Sequence, residues 1–585
     1  MRTSTSYRGG RPTIMGTRGV VTSGHYLATE AGMHVLRSGG NAFDAAAATG
    51  FALTALEPHQ NGFGGEVPIL LYPASEERVF ALSGNGTAPA AATIPTYREL
   101  GVEDVIPGDG YLGALVPPAP ATWTTLLERF GTMSLADVLR PAIELAERGF
   151  PMYDSLHGAI AGTAERFREE WPTSAHKFLR DGEPPEPGTI WRQPALAATF
   201  RRLIEVESAA GSREAGLEAA RGRFYDGDIA ESIVSWAASN PVRDATGREN
   251  AALLTVEDLS GYSARVEEPL SVDYRGLQVH KCSSWTQGPV LLQALRLLEG
   301  FPLAEMGHNS ADYIHTLVEC MKLAFADREF YYGDPEFADV PFDRLLSRRY
   351  ADERRELVRA DCASMQLRPG GREPLEADDI SDVLARFSAA EGDTTKLEVV
   401  DYEGNMISAT PSGGWLMSSP VIPGVGFPLG TRGQMFSMAE SHPNSLQPGK
   451  RPRMTLTPSL VTRDGAPWLA FGSPGGDCQD QWGLEFFLNV VEFGMSLQEA
   501  AEAPAFYTGH FPNSFYPRAA EPGVVHVEDR VPGEVRSELS NRGHIVKAEG
   551  PWSGQNAHAA SFDAETRLIC AAATPRRDTA YAMGF

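Results

Sequence analysis

A chain of 585 residues with 42% hydrophobic content can bury a large core, and no apolar run in it reaches membrane-spanning length. The formal net charge of −25 and a pI near 5.0, with no basic stripe to offset them, exclude nucleic acid and other polyanions as expected partners. Five scattered cysteines, Cys282, Cys320, Cys362, Cys478 and Cys570, argue against a disulfide framework, show no zinc-like spacing and favour a reducing compartment.

The opening residues, Met1 to Pro12, contain no apolar signal core, so the expectation is a cytoplasmic protein. Tyr26–Ser38 and Ala42–Leu56 read as helices, the first closed by Gly39-Gly40 and the second by Glu57-Pro58. Gly62-Phe-Gly-Gly65 lacks the Gly-Lys-Ser/Thr ending of a phosphate loop, and a close approach of two backbones explains it better. From Thr122 to Ser388 helical patterns dominate, with Ile314, Leu317, Met321 and Phe325 on one stripe; Asp181–Gly188 reads as a loop and Ser208–Glu218 as a polar connector. Within the helical region, Glu319, Lys322, Asp327 and Arg328 fall at spacings that suit ion pairs within one helix. No histidine pattern of the His-Glu-x-x-His kind appears, and neither a metal nor a cofactor is expected. An acidic stretch, Pro369–Asp393, leads into Thr394-Thr395 and the strand-like Lys396–Asp401.

Thr394 is the position that carries chemistry. If the Asp393–Thr394 bond is cut, Thr394 gains a free α-amine beside its own hydroxyl, so one residue supplies both nucleophile and base. Asp401–Asn405 reads as a turn, which returns Met406–Thr410 alongside Thr394 and brings Pro411-Ser412-Gly413-Gly414 within reach of it. Further on, the strand-like Trp468–Phe471 runs into Ser473-Pro-Gly-Gly476, whose consecutive glycine N–H groups can form an anion-binding nest.

These motifs, in order and over nearly the whole chain, resemble the γ-glutamyltransferase family. Gly39–Ala45, Glu57-Pro58, Gly62–Gly65, Ala88–Thr93, Val318–Arg328 and Gly333-Asp-Pro335 match its large fragment. Thr394-Thr395, Val399–Asp401, Gly404-Asn405, Lys450-Arg-Pro452 and Ser473–Gly476 match its small one. The resemblance implies an α+β, four-layer αββα N-terminal nucleophile (Ntn) hydrolase fold. It also implies self-cleavage into residues 1–393 and 394–585, which remain together as one interleaved domain. By the same match Thr394 is the nucleophile, Thr395 and Ser412 hydrogen-bond around it, and Gly475 and Gly476 form the oxyanion hole.

The departures concern specificity. Where the family grips a glutamyl α-carboxylate with arginine, this chain has Asn85; an asparagine falls on Gly414, the aspartate that receives the α-amino group on Met435, and a serine pair on Met454 and Thr455. The expected partner is a small-molecule amide, cleaved through a threonine acyl-enzyme and not optimised for γ-glutamyl groups. Three other readings stay open. One is a true γ-glutamyltransferase or glutathione hydrolase in which Arg432, Arg451 or Arg453 replaces the missing carboxylate contact; the second is an acylase acting on an apolar or cyclic amide, such as a β-lactam side chain or a small amide acid, fitted to Met435, Met454 and Trp415; the third is a non-catalytic binding module.

Overall fold

The computed structural model describes residues 10–375 and 393–585. Two seven-stranded sheets hold it together, and every pairing within them is antiparallel. In chain order their strands are β1 (Ile14–Gly16), β2 (Gly19–Ser23), β3 (Ile69–Tyr72), β4 (Phe80–Ser83), β5 (Arg265–Glu267), β6 (Leu270–Tyr274) and β7 (Leu277–Lys281). After the acidic stretch come β8 (Leu397–Asp401), β9 (Met406–Ala409), β10 (Ser459–Arg463), β11 (Ala466–Gly472), β12 (His558–Phe562), β13 (Ile569–Ala573) and β14 (Tyr581–Gly584). The first sheet runs β14-β2-β8-β9-β3-β4-β5 and the second β1-β13-β12-β11-β10-β7-β6. Both sheets therefore combine strands from before and after Asp393, so neither segment has a complete sheet of its own.

Helices cover the outer faces. Helices α1 (Tyr26–Arg37) and α2 (Ala42–Leu56) pack on the first sheet through a core that includes Val21, Leu71, Val399 and Ile407. The second sheet is covered by α3 (Pro289–Leu298), α4 (Ala311–Tyr331) and α5 (Gln479–Val491), with Val279, Val461, Leu469 and Phe471 beneath them. Between the sheets, Val20, Leu70, Val400, Met406, Leu460, Ala470, Ala560 and Ala571 form a third apolar layer. The result is the four-layer αββα sandwich of the Ntn hydrolases. Small residues make α2 possible at this depth: all fifteen of its residues are buried, and an Asn41–Asp44 capping box satisfies its first turn.

The two N-terminal helices and the β8–β9 hairpin fall where the sequence places them, and Gly404 takes the left-handed φ of +93° that the turn requires. Asp401 ties that turn to the helix layer, since its carboxylate accepts from Ala42 N and from both nitrogens of Asn405. Two readings of the middle region need correction. The supposed connector Ser208–Glu218 contains the start of a helix, Arg213–Tyr225, capped by the Ser212 side chain, so the connector ends at Ser212. The supposed helical region also contributes β5, β6 and β7, because the alternation in Leu277-Gln-Val-His-Lys281 buries Leu277, Val279 and Lys281 on one face. On α4 the Glu319–Lys322 pair forms at 2.7 Å, but Arg328 reaches off the helix to Asp477 as well as to Glu329. Asp327 instead accepts from Gln293, Tyr350 and Gly370 N. The predicted acidic lead-in lies outside the described residues over 376–392.

Candidate functional site

The β8–β9 register, Leu397 opposite Ala409, continues to an isolated antiparallel bridge between Thr394 and Ser412. Hairpin geometry thus sets a second hydroxyl across from the first. Thr394 Oγ1 donates to Ser412 Oγ at 3.3 Å, and Ser412 Oγ in turn donates to the carbonyl oxygen of Asp393 at 2.9 Å. That carbonyl has a second donor, Trp415 Nε1 at 2.7 Å, which also reaches Gln60 O at 2.9 Å. The carbonyl of the bond expected to break is therefore clamped by two side-chain donors beside a hydroxyl aimed into the same group.

A buried arginine orients Ser412. Arg432 Nη2 donates to Ser412 Oγ at 2.9 Å, Arg432 Nε pairs with Glu66 at 3.0 Å, and the guanidinium lies over the rings of Trp415 and Phe515. Burial raises the Glu66 pKa, and the charge of Arg432 opposes that shift. The Gly62–Gly65 turn makes the close approach expected of it: a Cβ on Gly65 would stand 2.2 Å from Ser412 O, while Glu66 and Ser412 exchange backbone hydrogen bonds of 2.7 and 3.0 Å. Only hydrogen at that α-carbon lets the large segment cradle the Ser412 loop.

On the other side of the bond, Arg577 Nη2 lies 2.9 and 3.1 Å from the two carboxylate oxygens of Asp393, and Arg577 Nη1 donates to Gln60 Oε1. Thr395 is fixed through its backbone, with its N–H on Pro411 O at 3.0 Å. Its hydroxyl and the Glu57 carboxyl are neighbours over Gly24, close enough for the hydroxyl to favour the carboxylate, though they form no hydrogen bond of good geometry. Burial pushes the Glu57 pKa up to about 7 against the opposing pull of Arg577 and Thr395. His59 is held down at about 4, chiefly by burial, and so is neutral at physiological pH.

Gly475 has φ +126° and its N–Cα–C unit lies against the Trp482 ring, where a Cβ would come within 2.2 Å. Gly476 packs against Phe515, which stacks obliquely on Trp415, so the nest after β11 borders the same aromatic pair as the Ser412 loop. The residues expected to read substrate divide into three groups. Met435 and Met454 are fully buried in one apolar cluster with Trp415, Phe515 and Trp285. Asn85 stands behind that cluster: its amide donates to the carbonyls of Trp285 and Pro452, and it lines a separate cavity of about 430 Å³ with Ser83, Asp334 and Arg451 that does not include Thr394. Gly414, at φ +61°, packs its backbone on Gly62 and Gly65, and the Thr455 hydroxyl has no partner among the described residues. Arg451 is committed to Asp334 and Glu267, and Arg453 to Glu329. Neither is free to take over a lost carboxylate contact. Trp415, Glu57, Gln60, Glu66 and Arg577 were not singled out in the sequence for these positions. Their local signals were the Arg576-Arg577 pair between two apolar strands and, for Glu57, the Glu57-Pro58 motif.

The αββα sandwich, with a threonine at the head of a central strand and hydroxyl and N–H donors around the preceding peptide, defines the Ntn hydrolase class. The chain matches the Gamma-glutamyltranspeptidase family over residues 28–584 and belongs to it. It is 31% identical over 570 residues to the "Glutathione hydrolase-like YwrD proenzyme" of Bacillus subtilis (strain 168), covering 97% of this chain and 98% of that protein. Among solved structures it is similar to "Structure of LmbA2991HD", at 48% identity and a TM-score of 0.94, covering 99% of this chain and all of the other. It is also similar to the cephalosporin acylase from Bacillus halodurans, at 29% identity and a TM-score of 0.84, with 100% and 99% coverage. This chain is accordingly an amide hydrolase or acyltransferase of that family.

Proposed function

We propose that the chain cuts itself between Asp393 and Thr394 and that Thr394 then hydrolyses a small amide whose acyl group is not γ-glutamyl. The clamped Asp393 carbonyl carries this reading. In maturation Thr394 Oγ adds to that carbonyl carbon, and the developing oxyanion keeps its two donors, Ser412 Oγ and Trp415 Nε1. Collapse breaks the C–N bond, a proton passes to the departing Thr394 nitrogen, and an ester links Asp393 to Thr394 Oγ. Water hydrolyses that ester, leaving an α-carboxylate on Asp393 and a free amine on Thr394. In turnover the amine, directly or through water, takes the hydroxyl proton as Thr394 attacks substrate. Gly475 and Gly476 N–H groups hold the oxyanion, and the acyl-enzyme passes to water.

The specificity reading rests on the neutral or apolar Asn85, Gly414, Met435 and Met454, and on Arg432, whose charge is already matched by Glu66. Losing the carboxylate and ammonium contacts removes several charge-assisted hydrogen bonds of about 1.5–3 kcal/mol each. The test compares kcat/KM for a γ-glutamyl anilide and for uncharged acyl anilides on protein shown to be cut. The γ-glutamyl compound is expected to be poorer by orders of magnitude, and its clear preference would refute the reading. Five free cysteines support a reducing compartment, and we carry cytoplasmic location as part of the proposal.

A further inference from the structure

The glycine nest after β11 has little rigidity of its own. Gly475 and Gly476 stand at φ +126° and +53°, with no side chain to lock the backbone, and neither N–H has an acceptor among the described residues. What aims those N–H groups is the hold on the rest of the turn. Gly475 O accepts from Cys478 N at 2.9 Å, and Gly476 O accepts from Gln287 Nε2 at 3.5 Å. Asp477, the first side chain past the glycines, is gripped by Ser514, whose N and Oγ each donate to its carboxylate at 2.7 Å, and by Arg328 Nη1. Arg328, fully buried on α4, is where these holds meet. Its Nη1 also donates to Gln287 Oε1 at 2.8 Å, its Nη2 to Pro512 O at 3.0 Å and its Nε to Glu329 at 2.9 Å. The guanidinium carbon lies 4.5 and 4.9 Å from the ring centroids of Phe325 and Phe511, which keep water away from it. One side chain thus fixes Asp477 directly, Gly476 through Gln287, and the loop that carries Ser514. The Asp393 carbonyl depends on none of these bonds, since its donors are Ser412 Oγ and Trp415 Nε1.

Resting on the Ntn reading above, we propose that Arg328 is a positioning residue for turnover and not for maturation. It sets the Gly475 and Gly476 N–H groups for the oxyanion of a substrate, whereas self-cleavage proceeds on the other pair of donors. The fork is essential to this role. A lysine keeps the charge but carries a single nitrogen on a flexible stem, so it cannot hold Asp477, Gln287 and Pro512 O in one plane.

The test compares wild type with Arg328→Lys and with the milder Gln287→Met, each made as the full chain. Self-cleavage is timed on denaturing gels, and kcat and KM for an uncharged acyl anilide are measured on the cut proteins. Butylboronic acid is titrated calorimetrically in parallel: its boron accepts Thr394 Oγ as the hydroxyl proton passes to the α-amine, which gives a tetrahedral adduct that places an oxygen toward the nest. In Arg328→Lys the kcat should fall about 10- to 100-fold, as expected of displaced oxyanion donors, and boronate affinity should fall by a similar factor. KM and the rate of self-cleavage should stay within about threefold of wild type, because neither depends on the nest. Gln287→Met should show the same split with a loss of about 3- to 10-fold, and it decides the matter if Arg328→Lys does not fold. Wild-type kcat and boronate affinity in the variants overturn the proposal. So does a parallel fall in self-cleavage and turnover, which marks a merely structural arginine. If cut wild type turns over no anilide, the hydrolase reading fails, and the boronate titrations still decide whether Arg328 aims the nest.

Discussion

Replacing Trp415 with phenylalanine removes one N–H from the scissile carbonyl while keeping an aromatic ring between Arg432 and Phe515. Loss of one preorganised oxyanion donor costs about 2.7–4 kcal/mol, or about 10²–10³ in rate. The Trp415 N–H is shared with Gln60 O at 2.9 Å, which places the expected effect at the lower end, about a hundredfold slowing of self-cleavage. Ser412→Ala should slow cleavage at least as much. It deletes the other donor at 2.9 Å, takes away the acceptor of the Thr394 hydroxyl, and leaves Arg432 Nη2 without its partner. Both variants can be made by cell-free synthesis and followed on denaturing gels as the full chain divides into residues 1–393 and 394–585. A Trp415→Phe chain that divides at the wild-type rate would show that the carbonyl clamp plays no part in maturation.

Thr394→Ser should still mature and keep some amidase activity, whereas Thr394→Val should do neither; capping the free α-amine of mature protein should abolish turnover without unfolding it, as circular dichroism and an anilide assay would show. In the uncut Thr394→Ala chain, Glu57 binds its proton more tightly than the unfolded chain does, with a pKa of about 7 against 4.5, so stability is greatest below 4.5 and falls as pH rises toward 7. The loss is at most about 3 kcal/mol, and adding Glu57→Gln should flatten it. Unfolding midpoints at about pH 5 and about pH 8 would then converge, and an unchanged pH dependence would refute the assignment. Breaking the buried Arg432–Glu66 pair from either side should destabilise the chain by about 3–5 kcal/mol, with the double replacement Arg432→Gln/Glu66→Gln less costly than the sum. Additive losses in denaturant titrations would contradict a direct pair.

What the sequence made legible was local. The β8–β9 hairpin follows from a Gly-Asn turn between alternating strands, and that hairpin alone brings Ser412 opposite Thr394. Helices α1 and α2 follow from their caps, and the Gly62–Gly65 turn from its missing side chains. Contacts between distant segments were not legible. Arg577 meets Asp393 across 184 residues and Glu66 meets Arg432 across 366, and nothing in the neighbourhood of either arginine marks its partner. Strands β5–β7 were missed because short strands inside a long helical stretch carry little periodic signal. Trp415 looked like pocket lining, since an indole N–H has no sequence signature until the backbone shows what faces it.

Intact-mass analysis with N-terminal sequencing of the purified chain, made without added protease, tests the central claim most directly. Two fragments with the smaller beginning at Thr394, and a single intact chain for Thr394→Ala, are the predicted result. A wild-type chain that stays whole, or a small fragment that begins at any other residue, would contradict it.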